Sequence, residues 1–204
     1  MAKVAQYNFK TEAITIVTPV AETLFMCLAE VNEYTGQYGG KLIFTEDDLN
    51  KTVKYKVGKG KETKGVFKDI INGMIDDALD EYKDSGKKAV KANKIANHTD
   101  QDGNDTGKYE LSCKNQDQPR IINKDRTVEK DFDVLVGNGS TMKAQLYLKP
   151  YVMQGKVGIT AYLNTALLLD VIEYGGGNDM FDDDDFDDTS MDMGDDDTTD
   201  AEDY

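Results

Sequence analysis

The 204-residue chain carries 39 acidic and 24 basic side chains, a net charge of −15, and 39% of its residues are hydrophobic. Residues 178–204 hold 14 of the acidic side chains and no Lys or Arg, so residues 1–177 carry 25 acidic against 24 basic side chains, a net of −1. With one histidine (His98) and two distant cysteines (Cys27 and Cys113), the chain has little material for a zinc site or a Cys/His catalytic pair. We expect free thiols, no cofactor and no metal.

In chain order, the first elements are strands and a short helix. Strands are predicted at Ala13–Val17 and Gln37–Phe44, where β-branched or apolar residues run between turn signals. Residues Val20–Val31 fit a short helix or a buried strand equally well. Thr45, which is followed by three acids, predicts the start of a short helix. No apolar run reaches the roughly 20 residues that span a bilayer, so we expect a soluble protein that is not exported.

A lysine-rich segment follows at Lys51–Lys68, and we interpret it as a mobile basic loop because three glycines interrupt it. Ammonium groups neutralise phosphates and release counterions, and an aromatic ring among them can stack on a base. The alternative is an ordinary solvated loop, since lysines on loops are common. The candidate DNA-binding residues in this segment are Lys51, Lys54, Tyr55, Lys56, Lys59, Lys61 and Lys64.

The strongest helix signal covers Val66–Tyr82. Its apolar residues recur at the spacing that forms one stripe along a helix, and its acids lie off that stripe. Gly86 is a suitable stop signal. The next stretch, Ser85–Lys108, is polar and contains glycines, which predicts a long surface excursion.

The remaining chain predicts strands separated by short connections. Such spacings are too short for repeated βαβ crossovers, so we expect a mainly β domain with antiparallel pairing and a Greek-key or barrel closure. The predicted strands are Lys108–Lys114, Arg120–Asn123, Asp133–Val136, Met142–Tyr151, Val157–Asn164 and Leu167–Tyr174.

A second group of candidates lies on these strands. Side chains at i and i+2 share one face of a strand, so Tyr147, Lys149 and Tyr151 are predicted to project together. Aromatic rings interleaved with cations suit single strands, whose unstacked bases present their faces. For any one tyrosine, ordinary packing remains the alternative. The other candidate DNA-binding residues of this half are Tyr109, Lys114, Arg120 and Arg126.

Neither nucleophile motifs nor a phosphate-binding loop occurs in the sequence, so we expect a protein that is not an enzyme. Residues 178–204 form an acidic tail, and residues 1–177 form the body of the protein. The spaced carboxylates of the tail resemble a phosphate backbone, and the tail could therefore occupy a basic groove of the body until DNA displaces it. Phe181 and Phe186 are then candidate anchors for a protein partner. The rival interpretation is an acidic protein-interaction module, or an inhibitor that mimics DNA.

Several stretches together resemble the single-stranded-DNA-binding proteins of tailed bacteriophages. The likeness runs in order along most of Ala13–Tyr174 and extends to the tail. The matching stretches are Tyr109-Glu-Leu-Ser-Cys-Lys114, Pro119-Arg-Ile-Ile122, Val136-Gly-Asn-Gly-Ser140 and Gly158-Ile-Thr-Ala-Tyr-Leu-Asn164.

This resemblance implies an OB-fold, a five-stranded Greek-key barrel with one long helix, over residues 1–177, followed by a disordered acidic tail over 178–204. It implies a protein of phage replication, recombination and repair that coats single strands in the cytoplasm of the infected host cell. The tail would recruit the replicative DNA polymerase and the helicase–primase, with Tyr204 matching the terminal aromatic of the family. A homodimer is left open.

Overall fold

The structure is a computed structural model and describes residues 7–173. Within that range the chain forms twelve strands and two helices, so the expectation of a mainly β chain with one long helix is confirmed. The predicted tail, with Phe181, Phe186 and Tyr204, lies outside the described residues.

The helices are α1 (Glu46–Leu49) and α2 (Phe67–Asp84). The strands are β1 (Ile14–Val17), β2 (Ala21–Cys27), β3 (Tyr38–Phe44), β4 (Thr52–Val57), β5 (Thr63–Val66), β6 (Val90–Lys91), β7 (Ile95–Thr99), β8 (Asp105–Asn115), β9 (Arg120–Ile122), β10 (Val128–Glu129), β11 (Thr141–Met153) and β12 (Lys156–Asp170).

Five strands pair in a closed circuit: β2 with β3, β3 with β8, β8 with β12, β12 with β11, and β11 with β2. Only the β8–β12 pairing in this circuit is parallel, and it rests on one register pair, Tyr162 with Lys114. Further along the edge of β11 that pairs with β2, β1 pairs with β11; β4 then pairs with β1, and β5 with β4. The β4–β5 hairpin therefore extends the surface that β11 and β12 form.

The core fills the inner face of this circuit. Alternate residues of β11, such as Leu146 and Leu148, are fully buried, as are Ala161 and Leu163 on the facing strand β12. Helix α2 covers the core with its predicted apolar stripe, and Phe67 packs on Phe44 with ring centroids 5.3 Å apart. Neither helix within residues 7–173 is long and apolar enough to cross a membrane.

The short helix α1 begins where the sequence predicts. The Thr45 hydroxyl accepts a hydrogen bond from the Asp48 backbone N–H, and the Asp48 carboxylate accepts one from the Thr45 backbone N–H. This reciprocal capping box satisfies two N–H groups that the helix leaves unpaired. Partial burial acts to raise the pKa of Asp48, but hydrogen bonds from Lys51 and Thr45 outweigh it and lower that pKa.

Four predictions about local structure are wrong. The lysine-rich segment is a hairpin, β4–β5, because β4 finds a partner in β1. The stretch Asp133–Val136 forms no strand, and only Val136 makes a bridge, to Glu173. The last two predicted strands are one strand, β12, which continues through a register shift opposite Gln145 and Leu146. The polar stretch Ser85–Lys108 contains β6, β7 and the start of β8.

Glu81 on α2 fastens the segment that leads into β1. Its carboxylate accepts hydrogen bonds from the backbone N–H groups of Lys10 and Thr11, at 2.7 and 2.8 Å, and from the Thr11 hydroxyl at 2.8 Å. Partial burial acts to raise the pKa of Glu81, but these hydrogen bonds outweigh it and the pKa is lowered. A lowered carboxyl pKa stabilises the fold above the unfolded value of about 4.3, and this stabilisation is lost as the pH falls through the folded value.

We therefore expect Glu81→Gln to lower the free energy of unfolding by about 1 kcal/mol at pH 7, since partly exposed hydrogen bonds to a charged group are weakened. The difference from wild type should shrink as the pH falls through the lowered pKa of the folded protein, where the wild-type carboxyl becomes protonated. Thermal unfolding between pH 7 and 3 measures this, with exposed Glu33→Gln as the matched control. A difference that stays constant down to pH 3 would contradict the assignment.

Candidate nucleic-acid interface

The β11–β12 hairpin brings two tyrosines together on the face turned away from the core. Its two-residue turn, Gln154 and Gly155, has φ of 50° and 73°, the positive values that a type I′ turn requires. This turn fixes the register, so Tyr147 on β11 lies directly opposite Tyr162 on β12. Their ring centroids are 6.3 Å apart and the ring planes meet at 42°. The 38% exposure of Tyr147 leaves its ring accessible to a ligand.

The structure bears out the shared face predicted for β11. Tyr147 and Lys149 are exposed and Tyr151 is half-buried, whereas the alternate residues Leu146 and Leu148 are fully buried. Strand alternation therefore places the three predicted side chains on the outward face.

A row of registered residues extends this face across five strands. Lys56 on β4 lies opposite Thr15 on β1, and Thr15 lies opposite Tyr147. Tyr147 lies opposite Tyr162, and Tyr162 pairs with Lys114 on β8. We call Lys56, Thr15, Tyr147, Tyr162 and Lys114 the tyrosine row; it has two aromatic rings at its centre and a lysine at each end.

More cations lie beside the tyrosine row. On the β4–β5 hairpin, Lys54 faces Lys64 in the register, and both are exposed on the same side as Lys56. Arg120 on β9 lies opposite Thr165, which in turn lies opposite Gln145. Arg120 is therefore in the row next to the tyrosines.

The lysines of this surface differ in whether an acid neutralises them. Lys51 is ion-paired with Asp48 at 2.8 Å, and Lys54 with Glu62 at 2.9 Å. Neither lysine of the tyrosine row makes an ion pair with any residue between 7 and 173. The two ends of the tyrosine row therefore keep their charge available for an anion.

Two predicted stacking residues lie elsewhere. Tyr55 alternates with Lys54 and Lys56 along β4, so its half-buried ring packs against the core, and the prediction that it lies among the ammonium groups is wrong. Tyr109 lies on the core side of β8, opposite Phe44. Hydrogen bonding to the Glu46 carboxylate raises the pKa of the Tyr109 hydroxyl.

Three further candidates lie at the margins of the surface. Lys59 and Lys61 are exposed in the turn between β4 and β5, at the tip of the hairpin. Arg126 lies in the turn between β9 and β10, where its backbone has a φ of 69° and its N–H donates to the Asn123 carbonyl. The structure does not bring Arg126 to the tyrosine row.

The cysteines form no disulfide. Cys113 is buried, and burial raises its pKa to about 11, so its thiol is neutral near pH 7. Within residues 7–173, no group of three His, Cys, Asp or Glu side chains is arranged to hold a metal ion.

Sequence reasoning missed Tyr162, the partner of Tyr147. The signal was present in the Gln154-Gly155 dipeptide. If these two residues form a two-residue turn, counting back equal distances along both strands pairs Tyr147 with Tyr162.

Known proteins resemble this chain in structure and not in sequence. No protein-family model and no curated protein matches it. The crystal structure of gp2.5, a single-stranded DNA-binding protein of bacteriophage T7, matches with a TM-score of 0.55 and 14% identity, over 93% of this chain and 98% of that one. The single-stranded DNA-binding protein of bacteriophage Enc34, in complex with single-stranded DNA, matches with a TM-score of 0.55 and 14% identity, over 86% of this chain and 100% of that one. Another structure of the single-stranded DNA-binding protein of bacteriophage Enc34 matches with a TM-score of 0.54 and 17% identity, over 92% of this chain and 97% of that one. The chain therefore shares its fold with single-stranded-DNA-binding proteins of bacteriophages, in agreement with the resemblance predicted from its sequence.

Proposed function

We propose that this protein binds single-stranded DNA without sequence preference, on the outward face that the tyrosine row crosses. The observation that carries the proposal is the register of the row, which places two neighbouring rings between two lysines that no described acid neutralises. Bases that are not paired in a duplex can stack on such rings, and every base offers a face for stacking. The strand's phosphates would lie against the lysines.

The positive charges beside the tyrosine row lie where they could contact further phosphates of the same DNA strand. Lys64 and Arg120 share the outward face and extend the cationic surface on both sides of the two rings, whereas Lys54 is paired with Glu62. Because the contacts are to phosphates and ring faces and not to base edges, we expect tolerance of sequence and strong dependence on salt.

We further infer that the closed circuit of β2, β3, β8, β12 and β11 is the five-stranded Greek-key barrel of an OB-fold. The single parallel pairing, between β8 and β12, and the antiparallel order of the rest support this assignment. OB-folds bind oligonucleotides on one strand face and its flanking loops.

The biological role that we propose is that of a non-catalytic phage protein of replication, recombination and repair, which acts in the cytoplasm of the infected host. The shared fold with phage proteins supports it. In this proposal the acidic tail recruits the replicative polymerase and the helicase–primase, with Phe181, Phe186 and Tyr204 as anchors. The concentration of 14 acids without a base in residues 178–204 supports a role for the tail in binding basic surfaces.

The lysine ends of the row give a direct test. Each phosphate contact contributes close to one unit to the slope of log K against log salt concentration, slightly less on single strands. We therefore expect Lys56→Gln with Lys114→Gln to lower the slope for oligo-dT by about 1.4. Fluorescence anisotropy of a labelled oligo-dT over a salt series measures it.

A matched double variant controls for the loss of two positive charges. Lys83→Gln with Lys88→Gln removes two exposed lysines, one in the last turn of α2 and one just after that helix, neither of which is on the row. The control should keep the wild-type slope. Equal slopes for the two double variants would contradict the proposed path.

A further inference from the structure

The polar excursion between α2 and β8 is held firmly against the DNA-binding face. Its strand β6 runs parallel to the start of β12, and the Ala92 N–H donates to the Val157 carbonyl at 2.7 Å. Lys91 is ion-paired with Asp76 of α2 at 2.6 Å. Its second strand, β7, pairs with β8. The excursion is thus attached to both β12 and β8, the two strands that pair with each other only at Tyr162 and Lys114.

Between those strands the excursion forms one wall of a groove. A glycine allows the wall to approach closely: a Cβ at Gly158 would lie 3.0 Å from the Ala92 Cβ and 3.1 Å from the Tyr151 hydroxyl. We name this feature the excursion groove. It is lined by Lys94, Ser112, Lys114, Tyr151, Met153 and Thr160.

Lys94 is the excursion's own cation in this groove. Its side chain is half-buried beside Cys113 and Lys114; burial lowers the pKa of Lys94, and the positive charge of Lys114 lowers it further. The neutral thiol of Cys113 does not compensate the charge. Glu110 also lines the groove, but its carboxylate is already engaged by Lys41 at 2.9 Å and by His98 at 3.2 Å.

The groove is continuous with the tyrosine row because Lys114 belongs to both. A partly buried lysine beside a second lysine, without an acid paired to either among residues 7–173, is suited to hold an anion. Ser112 and Thr160 add hydroxyl groups to the lining. The excursion therefore supplies an anion-binding lysine, Lys94, a role that its sequence alone does not indicate.

We propose that the excursion groove is a second, walled part of the DNA path, in which Lys94 and Lys114 hold a backbone phosphate of the strand after it leaves the two tyrosines. This inference rests on the proposed single-stranded-DNA binding. It makes Lys94 a phosphate-binding residue and residues 90–99 a wall of the binding site.

The test compares three single variants of the full chain by anisotropy with labelled oligo-dT. Lys94→Gln should weaken binding about tenfold, as expected when a charge-assisted hydrogen bond is lost, and lower the salt slope by about 0.7. Lys88→Gln, which removes an exposed lysine of the same excursion outside the groove, should change neither quantity. Lys94→Arg should retain both.

A pH series separates a phosphate contact from a merely structural role. A bound phosphate favours the charged form of Lys94, so wild-type binding should take up a proton and weaken as the pH rises through the lowered pKa of the free protein. The other titratable groups that face Lys94 in the groove are Lys114, Cys113, Glu110 and Tyr151, and all of them remain in Lys94→Arg. That variant should lose this pH dependence because a guanidinium stays charged.

The outcomes are distinct. If Lys94→Gln keeps the wild-type affinity and salt slope, the groove proposal is wrong while DNA binding stands. If wild type binds no oligo-dT, the proposed function itself fails. If Lys94→Gln lowers the melting temperature and Lys94→Arg shows the wild-type pH profile, Lys94 is a structural residue and the groove proposal is again wrong.

Discussion

Replacing both Tyr147 and Tyr162 with alanine is expected to weaken binding to oligo-dT by about 10- to 100-fold. Base–aromatic stacking contributes about 1–3 kcal/mol per base by alanine substitution, and about 1.4 kcal/mol corresponds to a factor of ten. The two rings are neighbours, with centroids 6.3 Å apart, so their contributions will not simply add. Anisotropy with a labelled oligo-dT at one fixed salt concentration measures the effect.

The phenylalanine variants of the same positions are the matched controls. They keep the rings and remove only the hydroxyl groups, so the stacking account predicts affinities close to wild type. The salt slope should also be unchanged in the alanine double variant, because no phosphate contact is removed. A double alanine variant that keeps wild-type affinity would contradict the central place of the tyrosine row.

Removing residues 178–204 is expected to raise the affinity of the remaining chain for oligo-dT by about tenfold or more at low salt. The deletion removes 14 acids and changes the net charge from −15 to −1. The sequence predicts that these carboxylates compete with DNA phosphates for the basic groove of the body. The gain should shrink above about 0.3 M salt, where charges are screened over less than 10 Å.

A full-length variant with the tail's aspartates changed to asparagine controls for chain length. It should reproduce most of the gain, because the competing charge is removed and the length is kept. Unchanged or lower affinity after deletion would contradict the competition. If the truncated chain has no DNA affinity at all, the rival interpretation, an acidic protein-interaction or DNA-mimic module, is favoured.

Local signals predicted several elements well. The apolar stripe between Val66 and Tyr82 identified α2, and Thr45 identified the start of α1. The alternation along Tyr147, Lys149 and Tyr151 identified a face that the structure confirms. These features depend on residues close together in the chain, which is why sequence patterns reveal them.

The rest of the site depends on pairing between distant segments. The outward position of Lys56 beside Thr15 follows from the pairing of β4 with β1, and no local pattern specifies that partner. The excursion's strands are short and mostly exposed, with two residues in β6 and five in β7, so they carry no clear alternation that would mark them. The position of Tyr55 was predicted wrongly for a different reason. The segment was predicted to be a loop, whereas it forms strand β4, and alternation along a strand puts Tyr55 on the opposite face from Lys54 and Lys56.

The most direct test of the account is a parallel anisotropy titration of the full-length protein with labelled oligo-dT and with a labelled duplex of equal length, at low salt. Stacking on Tyr147 and Tyr162 needs base faces that a duplex hides, so we expect clear preference for oligo-dT, by about tenfold or more. Equal affinity for the two DNAs, or binding to neither, would contradict the proposal that this face binds single-stranded DNA.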